Sequence, residues 1–177
     1  MEPKNERLVL REVGLADLDF FFALRNHPEM LAFPRREPRP RSDVERQLSR
    51  WIERWQELNF GTWTVFDRKT EERLGRVELD PIGPGWPGIA PDEVELGCII
   101  HPTHWNQGIA TEASELAIAD FFDRTDHRRL VALTTIDNHA SLRALTKLGL
   151  HHCGETRHES DETIYELFEL VRTPRNV

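Results

Sequence analysis

The stretch ELGCIIHPTHWNQGIAT, residues 95–111, predicts a strand that turns directly into a helix. Its first half has the apolar composition of a buried β-strand. Pairing should stop at Pro102, because proline has no N–H to donate to a sheet. The second half predicts a helix from Gly108. The first N–H groups of a helix lack partners and carry partial positive charge, and a glycine lets a phosphate approach them closely. The stretch therefore favours an anion site, and a tightly packed helix start without a ligand is the alternative.

The segments on either side extend this unit into an alternation of strands and helices. Strand patterns cover residues 7–13, 60–66, 74–79, 95–100, 129–136, 150–153 and 163–171. Helical patterns cover residues 17–25, 44–55, 108–123 and 138–148. A loop rich in Gly and Pro, residues 80–92, precedes the central stretch. No repeat or linker interrupts this order, so we expect a single domain over residues 1–177, of α/β (α+β) class.

Charge and composition narrow the possible partners and compartment. The chain has 177 residues and a net charge of −8, which argues against direct nucleic-acid binding and makes a basic partner more natural. No apolar run approaches the length of a membrane helix, and the N-terminus lacks the layout of a signal peptide. The two cysteines, Cys98 and Cys153, have no CxxC spacing. We therefore expect a cytoplasmic protein that does not bind membranes.

One local run departs from the acidic composition. Residues 34–41, PRREPRPR, hold four arginines among prolines. Such a segment is either a solvated loop or a contact for an anion, and the sequence leaves both interpretations open.

The motifs resemble those of the GNAT N-acyltransferases, and in particular the branch of RimJ/RimL-type acetyltransferases. The residues that carry the resemblance, in family order, are Glu6–Arg11, Glu95–Gly97 with His101 and Pro102, Trp105–Ala113, Asn138–Ser141 and Lys147–Leu150. The resemblance implies a GNAT-type mixed, mostly antiparallel central sheet of six to seven strands. About four helices should flank it, with a V-shaped opening after the fourth strand. It also implies acetyl-CoA as cosubstrate.

Two positions depart from the superfamily pattern. Trp105 stands where Arg or Gln is usual three residues before the glycine, as is common in the RimJ/RimL-like branch. Leu145 occupies the position of a catalytic tyrosine in other branches. The usual general acid is therefore missing, and another residue must protonate the leaving group or none is needed.

The implied cofactor site combines backbone and side-chain groups. N–H groups from Gln107 to Thr111 should hold the pyrophosphate, and strand backbone near Ile100 should hold the pantetheine amides. Asn138 either hydrogen-bonds the cofactor arm or is an ordinary helix cap. The full predicted set is Ile100, Asn106, Gln107, Gly108, Ile109, Ala110, Thr111, Asn138 and Lys147.

The candidate catalytic residues are Glu95 and Ser141. An amine acceptor arrives mostly protonated, so a base is useful, and Glu95 is the candidate, directly or through a water. Ser141 is the candidate acid or thiolate hydrogen-bond donor. Alternatively, Glu95 is a solvated strand carboxylate and Ser141 a quiet helix residue.

Metal and covalent chemistry are not favoured. The pairs His101/His104 and His151/His152 lack a third ligand at a known spacing, and adjacent strand residues point to opposite faces, so we predict no metal site. No nucleophile motif surrounds a serine or cysteine, which favours direct transfer over an acyl-enzyme.

We therefore predict an N-acetyltransferase that moves an acetyl group from acetyl-CoA to a primary amine. The acceptor is a protein N-terminus, such as a basic peptide, or a small-molecule amine. The alternative is a non-catalytic acyl-CoA-binding or sensor domain of the same fold. An aromatic wall, for a small-molecule amine or for a longer acyl group, is one interpretation of Trp51, Trp55, Trp63 and Trp86. For Trp51 and Trp55, burial in the core is the alternative. The sequence does not determine the oligomeric state, and a homodimer is the commonest assembly among oligomers.

Overall fold

The computed structural model describes residues 2–33 and 36–172. Their strands are β1 (Leu8–Glu12), β2 (Thr62–Asp67), β3 (Arg73–Pro81), β4 (Val94–Ile100), β5 (Arg129–Thr134), β6 (His151–Thr156) and β7 (Tyr165–Val171). Their α-helices are α1 (Leu18–Arg25), α2 (Pro28–Leu31), α3 (Arg41–Leu58), α4 (Ile109–Arg124) and α5 (His139–Lys147). Short 3₁₀ turns precede α1 and follow β4.

The strands form one seven-stranded sheet in the order β1-β2-β3-β4-β5-β7-β6. Every neighbouring pair is antiparallel except β4 and β5, which run parallel because α4 carries the chain back across the sheet between them. The mixed, mostly antiparallel sheet of six to seven strands is confirmed.

The parallel pair is also where the sheet opens. β4 and β5 are paired only at Val94 with Leu130 and at Glu95 with Val131. In contrast, every residue of β4 is paired with β3. Beyond Glu95 the two central strands separate, so Glu95 stands at the apex of a V-shaped gap. The opening predicted after the fourth strand is therefore present.

The two faces of β4 meet different helices. Side chains alternate between the faces of a strand, and the Cys98 thiol lies 3.9 Å from the Ala110 carbonyl of α4. The opposite face, which carries Glu95, Gly97 and Ile99, borders a cavity shared with α1, α2 and α3. The sheet thus has α4 on one side and the α1–α3 group on the other.

Two alanines let helix α4 lie close to the sheet, and a phenylalanine at its far end packs into the core. Ala113, Ala117 and Phe121 are completely buried, and the Phe121 ring packs edge-on against Phe60 with centroids 4.9 Å apart. Burying one phenylalanine contributes about 1.5–3 kcal/mol to stability. This packing fixes the start of α4 beside the sheet opening.

Two local features differ from the sequence-based expectation. Pro28 does not only end α1 but also begins α2, a one-turn helix, because proline suits the first helical position. The described chain therefore has five α-helices rather than about four. Asp80 and Pro81 belong to β3 instead of the following loop, since their backbone continues the ladder to Glu95 and Val94.

The described helices include none that is long and apolar enough to cross a membrane.

Candidate functional site

The open edge of β4 presents backbone groups to the gap. The His101 N–H donates to the Leu74 carbonyl of β3 at 2.7 Å, and backbone groups alternate in direction along a strand. The N–H and C=O groups of Cys98 and Ile100 therefore point toward β5, beyond the last paired residue of β4. The Ile100 carbonyl accepts a hydrogen bond from Trp105 Nε1 at 2.7 Å. Trp105 thus closes the turn after β4 and occupies one acceptor site of the predicted pantetheine contact.

The start of α4 has the geometry expected of an anion site. Gly108 is the N-cap residue with φ of 79°, and the exposed Asn106 also has a left-handed φ of 60°. Within the described residues, no acceptor is found for the N–H groups from Gln107 to Thr111. A Cβ built on Gly108 would meet only Glu112 Oε1, at 3.8 Å, so the space above these donors is open. The structure therefore brings together the predicted residues Asn106 to Thr111, and the backbone donors of residues 107–111 face the open space above Gly108.

A residue that the sequence did not single out braces this segment. Arg7, just before β1, donates from Nη1 to Glu112 Oε1 at 2.6 Å and from both terminal nitrogens to the Gln107 carbonyl at 3.3 Å. Asn5 Nδ2 donates to Glu112 Oε2 at 3.3 Å. The Glu112 carboxylate, in the first turn of α4, is therefore held by β1-side donors. This contact was not predictable from local patterns, because Arg7 and Glu112 are more than 100 residues apart in the sequence.

The second motif forms the start of α5. Asn138 is its N-cap, and its side-chain oxygen accepts from the Ser141 N–H at 3.2 Å. This is the helix-cap interpretation of Asn138, and it leaves the side-chain NH₂ group for another partner. Lys147 is exposed at the far end of α5, about 13 Å away by helical rise, so the two residues cannot contact the same part of a ligand. Leu145 is buried in the core.

Glu95 lies in an unusual electrostatic environment. Burial, and then the neighbouring charges of Glu78 and Asp80, raise the pKa of Glu95 from an ordinary 4.5 to about 7. Arg76 and the Leu133 N–H act in the opposite direction but are outweighed. A carboxyl group with a pKa near 7 exchanges protons readily at neutral pH, which is the property required of a general base.

The cavity beside Glu95 is lined by further charged residues, of which the sequence singled out only Arg36 and Arg39, as members of the run at residues 34–41. Its volume is about 570 Å³. The sheet side contributes Arg76, Glu78 and Asp80 of β3, whose alternate spacing puts them on one face, and the helical side contributes Arg25, Arg36 and Arg39. Gly97 makes room for Glu78, because a Cβ at that position would lie 2.7 Å from Glu78 Oε1. Strand register, which is not evident from one sequence, brings Asp80 opposite Glu95.

The arginine-rich run is divided by the structure. Arg36 and Arg39 line the cavity and Arg41 pairs with Asp19 at 2.5 Å, whereas Pro34 and Arg35 lie outside the described residues. The run is therefore more than a solvated loop.

The four tryptophans do not form one aromatic wall, and the core interpretation is confirmed for Trp55. Only Trp51 lines the cavity. Trp55 and Trp63 pack against each other in the core with centroids 4.9 Å apart, and Trp86, in the loop between β3 and β4, contacts His158 and Tyr165. Helical and strand periodicity identified these residues as apolar but not which face of the sheet each one reaches.

The histidines and cysteines are engaged elsewhere. His104 contacts Glu72 at 3.2 Å and His152 contacts Glu166 at 2.5 Å. In the part of the chain that is described, no group of three potential ligands is arranged to hold a metal ion. Burial raises the pKa of the Cys98 thiol to about 12, so it is protonated and unreactive at neutral pH.

Comparison with known proteins gives consistent results. The family model for the acetyltransferase (GNAT) domain matches residues 7–151. In Bacillus subtilis, the uncharacterized N-acetyltransferase YoaA is 26% identical over 159 residues, which are 87% of this chain and 85% of that protein. The uncharacterized protein YkkB is 28% identical over 119 residues, 61% of this chain and 63% of that protein, so this match spans less than two-thirds of YkkB.

Solved structures show the same fold at lower identity. A Bordetella pertussis protein assigned to the GnaT acetyltransferase family superposes with a TM-score of 0.81 at 22% identity, covering 98% of this chain and 99% of that one. RimL, a ribosomal L7/L12 alpha-N-protein acetyltransferase solved in complex with coenzyme A, superposes with a TM-score of 0.77 at 15% identity, covering 97% and 98%.

Proposed function

Because the chain belongs to the GNAT acetyltransferase family, we propose that it transfers an acetyl group from acetyl-CoA directly to a primary amine. The acceptor is a protein N-terminus, as in the RimJ/RimL-like branch, or a small-molecule amine. The observation that carries the proposal is the gap between β4 and β5. Free backbone donors lie at the start of α4 beside it, and a carboxyl group with a pKa of about 7 stands at its apex.

The cofactor side depends on the backbone. The N–H groups from Gln107 to Thr111 would hold the pyrophosphate, and the free N–H and C=O groups of Cys98 with the N–H of Ile100 would pair with the pantetheine amides. The side-chain NH₂ of Asn138 is available to the cofactor arm, because capping uses only the oxygen. Bound there, acetyl-CoA supplies an activated thioester.

The acceptor side depends on Glu95. Its carboxylate takes a proton from the ammonium group, directly or through a water, and the neutral amine then attacks the thioester carbonyl. The new C–N bond forms as the C–S bond breaks, the nitrogen releases its second proton to become an amide, and the departing sulfur takes up one proton in balance. We assign the hydrogen bond that stabilises this sulfur to Ser141, which lies in the first turn of α5. A thiol has an ordinary pKa of about 8.5, so modest help is sufficient.

The test is release of free thiol from acetyl-CoA in the presence of amine and peptide panels, with mass spectrometry of the acetylated product. Amine-dependent thiol release would support the proposal. Coenzyme A binding without turnover on any acceptor would instead establish the alternative, an acyl-CoA-binding or sensor domain.

A further inference from the structure

The cavity beside Glu95 contains more charge than a simple amine requires. On its sheet side, Arg76 forms an ion pair with Glu78 and lies over the Trp51 ring, 4.7 Å from its centroid. Asp80 is paired with Arg54 at 3.0 Å. Two of the three carboxylates in the cavity are therefore neutralised within the protein. Glu95 is the third, and the described residues provide it with no cationic partner at ion-pair distance.

The helical side of the cavity has an excess of positive charge. Across residues 2–33 and 36–172, none of Arg25, Arg36 and Arg39 forms an ion pair with a carboxylate. One terminal nitrogen of Arg25, Nη1, is buried and has no hydrogen-bond acceptor among the described residues. The Arg36 guanidinium lies over the Phe33 ring, 5.6 Å from its centroid. Three guanidinium groups that have no carboxylate partner in the described part of the chain therefore face one space.

These arginines are also close enough to repel one another. Burial, followed by the charges of Arg39 and Arg76, lowers the pKa of Arg25. Burial, followed by the charges of Arg25, Arg76 and Arg39, lowers the pKa of Arg36. Gathering like charges in a partly buried site is unfavourable unless an anion joins them, and a guanidinium fork matches a carboxylate or phosphate.

Apolar side chains line the space between the two charged ends. Phe21, Leu24, Met30 and Trp51 face the cavity. A volume of about 570 Å³ is in the range of small-molecule sites. The bound molecule therefore needs an apolar frame that separates a cationic from an anionic group.

We propose that the acceptor is a small zwitterionic amine, with its amino group at Glu95 and a carboxylate or phosphonate at Arg25, Arg36 and Arg39. This inference rests on the proposed acetyltransferase function and narrows its substrate class. It runs against the basic partner expected from the net charge of −8. Net charge averages over the whole surface, whereas a substrate meets only the charges of the cavity.

The test uses matched acceptors and thiol release from acetyl-CoA. Unbranched alkylamines are compared with ω-amino carboxylates and ω-amino phosphonates of the same chain length, and with peptides that have basic or acidic N-terminal residues. We expect kcat/KM to be at least about tenfold higher for the small anionic acceptors than for the neutral amines, with an optimum chain length set by the distance between Glu95 and the arginines. Comparison of the ω-amino carboxylates with the ω-amino phosphonates shows which of the two anionic groups the arginines prefer.

Variants then assign the preference to the arginines. Arg25→Gln and Arg39→Gln should each lower the anionic-to-neutral ratio of kcat/KM about tenfold, mainly through KM. Arg39 is exposed, so its replacement tests the site even if the Arg25 variant does not fold. Arg50→Gln is the matched control, because Arg50 is exposed on α3 outside the cavity lining.

The outcomes are distinct. Preference for neutral amines or for any peptide, or an equal loss on neutral and anionic acceptors in the arginine variants, would overturn the zwitterion inference while leaving the acetyltransferase in place. Absence of turnover with every acceptor would overturn both proposals.

Discussion

The proposed cofactor site and the proposed acceptor site on either side of β4 differ in the groups that form them. On the cofactor side, the donors are backbone N–H groups from one continuous segment, residues 107–111, and the open edge of β4. On the acceptor side, the functional groups are side chains from α1, the segment before α3, β3 and β4. Backbone donors are present whatever the side chain, so such a site tolerates sequence change. A site of side chains can be re-specified by a few substitutions, which is how one cosubstrate can serve many acceptors.

The largest expected effect lies on the side-chain side, at Glu95. Glu95→Gln should lower kcat about 10²- to 10⁴-fold, because it removes the base while keeping the shape of the side chain. In the wild type, activity should rise with pH through about 7 as Glu95 loses its proton, and the variant should lose that limb. The measurement is kcat/KM against pH with one acceptor for both proteins, so that titration of the amine is common to them.

Glu95→Asp is the companion variant for this test. It keeps a titratable carboxyl and should keep a pH-dependent limb at reduced rate. An unchanged profile in Glu95→Gln would remove Glu95 as the base.

The same residue should cost the protein stability at neutral pH. The folded-state pKa of about 7 lies above the ordinary 4.5, so the folded protein retains a proton that the unfolded chain releases. The free energy of unfolding should therefore fall as pH rises from about 4.5 to about 7, relative to Glu95→Gln. The difference approaches about 3 kcal/mol and persists above that window. Urea unfolding across this pH range measures it, with Glu45→Gln, an exposed change on α3, as the control.

The contrast between the two sides also determines how much the sequence could reveal. Residues 95–111 and the Asn138 motif are contiguous, so their strand, turn and helix starts were predictable from local patterns and from the family resemblance. The structure confirms the order of elements and the opening after the fourth strand, which were predicted from the same local patterns and the same family resemblance.

The acceptor cavity was not predictable in this way. Asp80 meets Glu95 only through the register of β3 and β4, and Arg25 joins Arg36 only through packing of the helices. The aromatic-wall interpretation of the tryptophans failed because periodicity distinguishes buried from exposed positions but not one face of the sheet from the other. The run at residues 34–41 offered the one local signal, its cluster of arginines.

A charge at Gly108 tests the backbone side without altering the acceptor cavity. Gly108→Asp and Gly108→Asn have the same shape, and both residues tolerate the left-handed conformation that φ of 79° requires. Asp should weaken coenzyme A binding about 10- to 100-fold relative to Asn, because its negative charge stands where the phosphate would bind. Isothermal titration with coenzyme A measures the ratio, and circular dichroism checks folding. Equal affinities would show that the phosphate does not dock at the start of α4.

The smallest expected effect concerns Arg7, the cationic side chain that braces the segment of backbone donors. Arg7→Gln removes the cation that holds Glu112 and the Gln107 carbonyl. Among the described residues, the Asn5 amide is then the remaining partner of the Glu112 carboxylate, which competes with a bound phosphate for the same positive end of the helix. We expect coenzyme A affinity to fall about threefold, since this pair is half-exposed and screened by solvent.

Arg11→Gln is the matched control, because Arg11 lies on β1 and pairs with Glu71 at 2.5 Å, away from α4. Adding salt should reduce the difference between the two variants if it is electrostatic, whereas a salt-independent loss would mean that Arg7 acts by holding the turn in place.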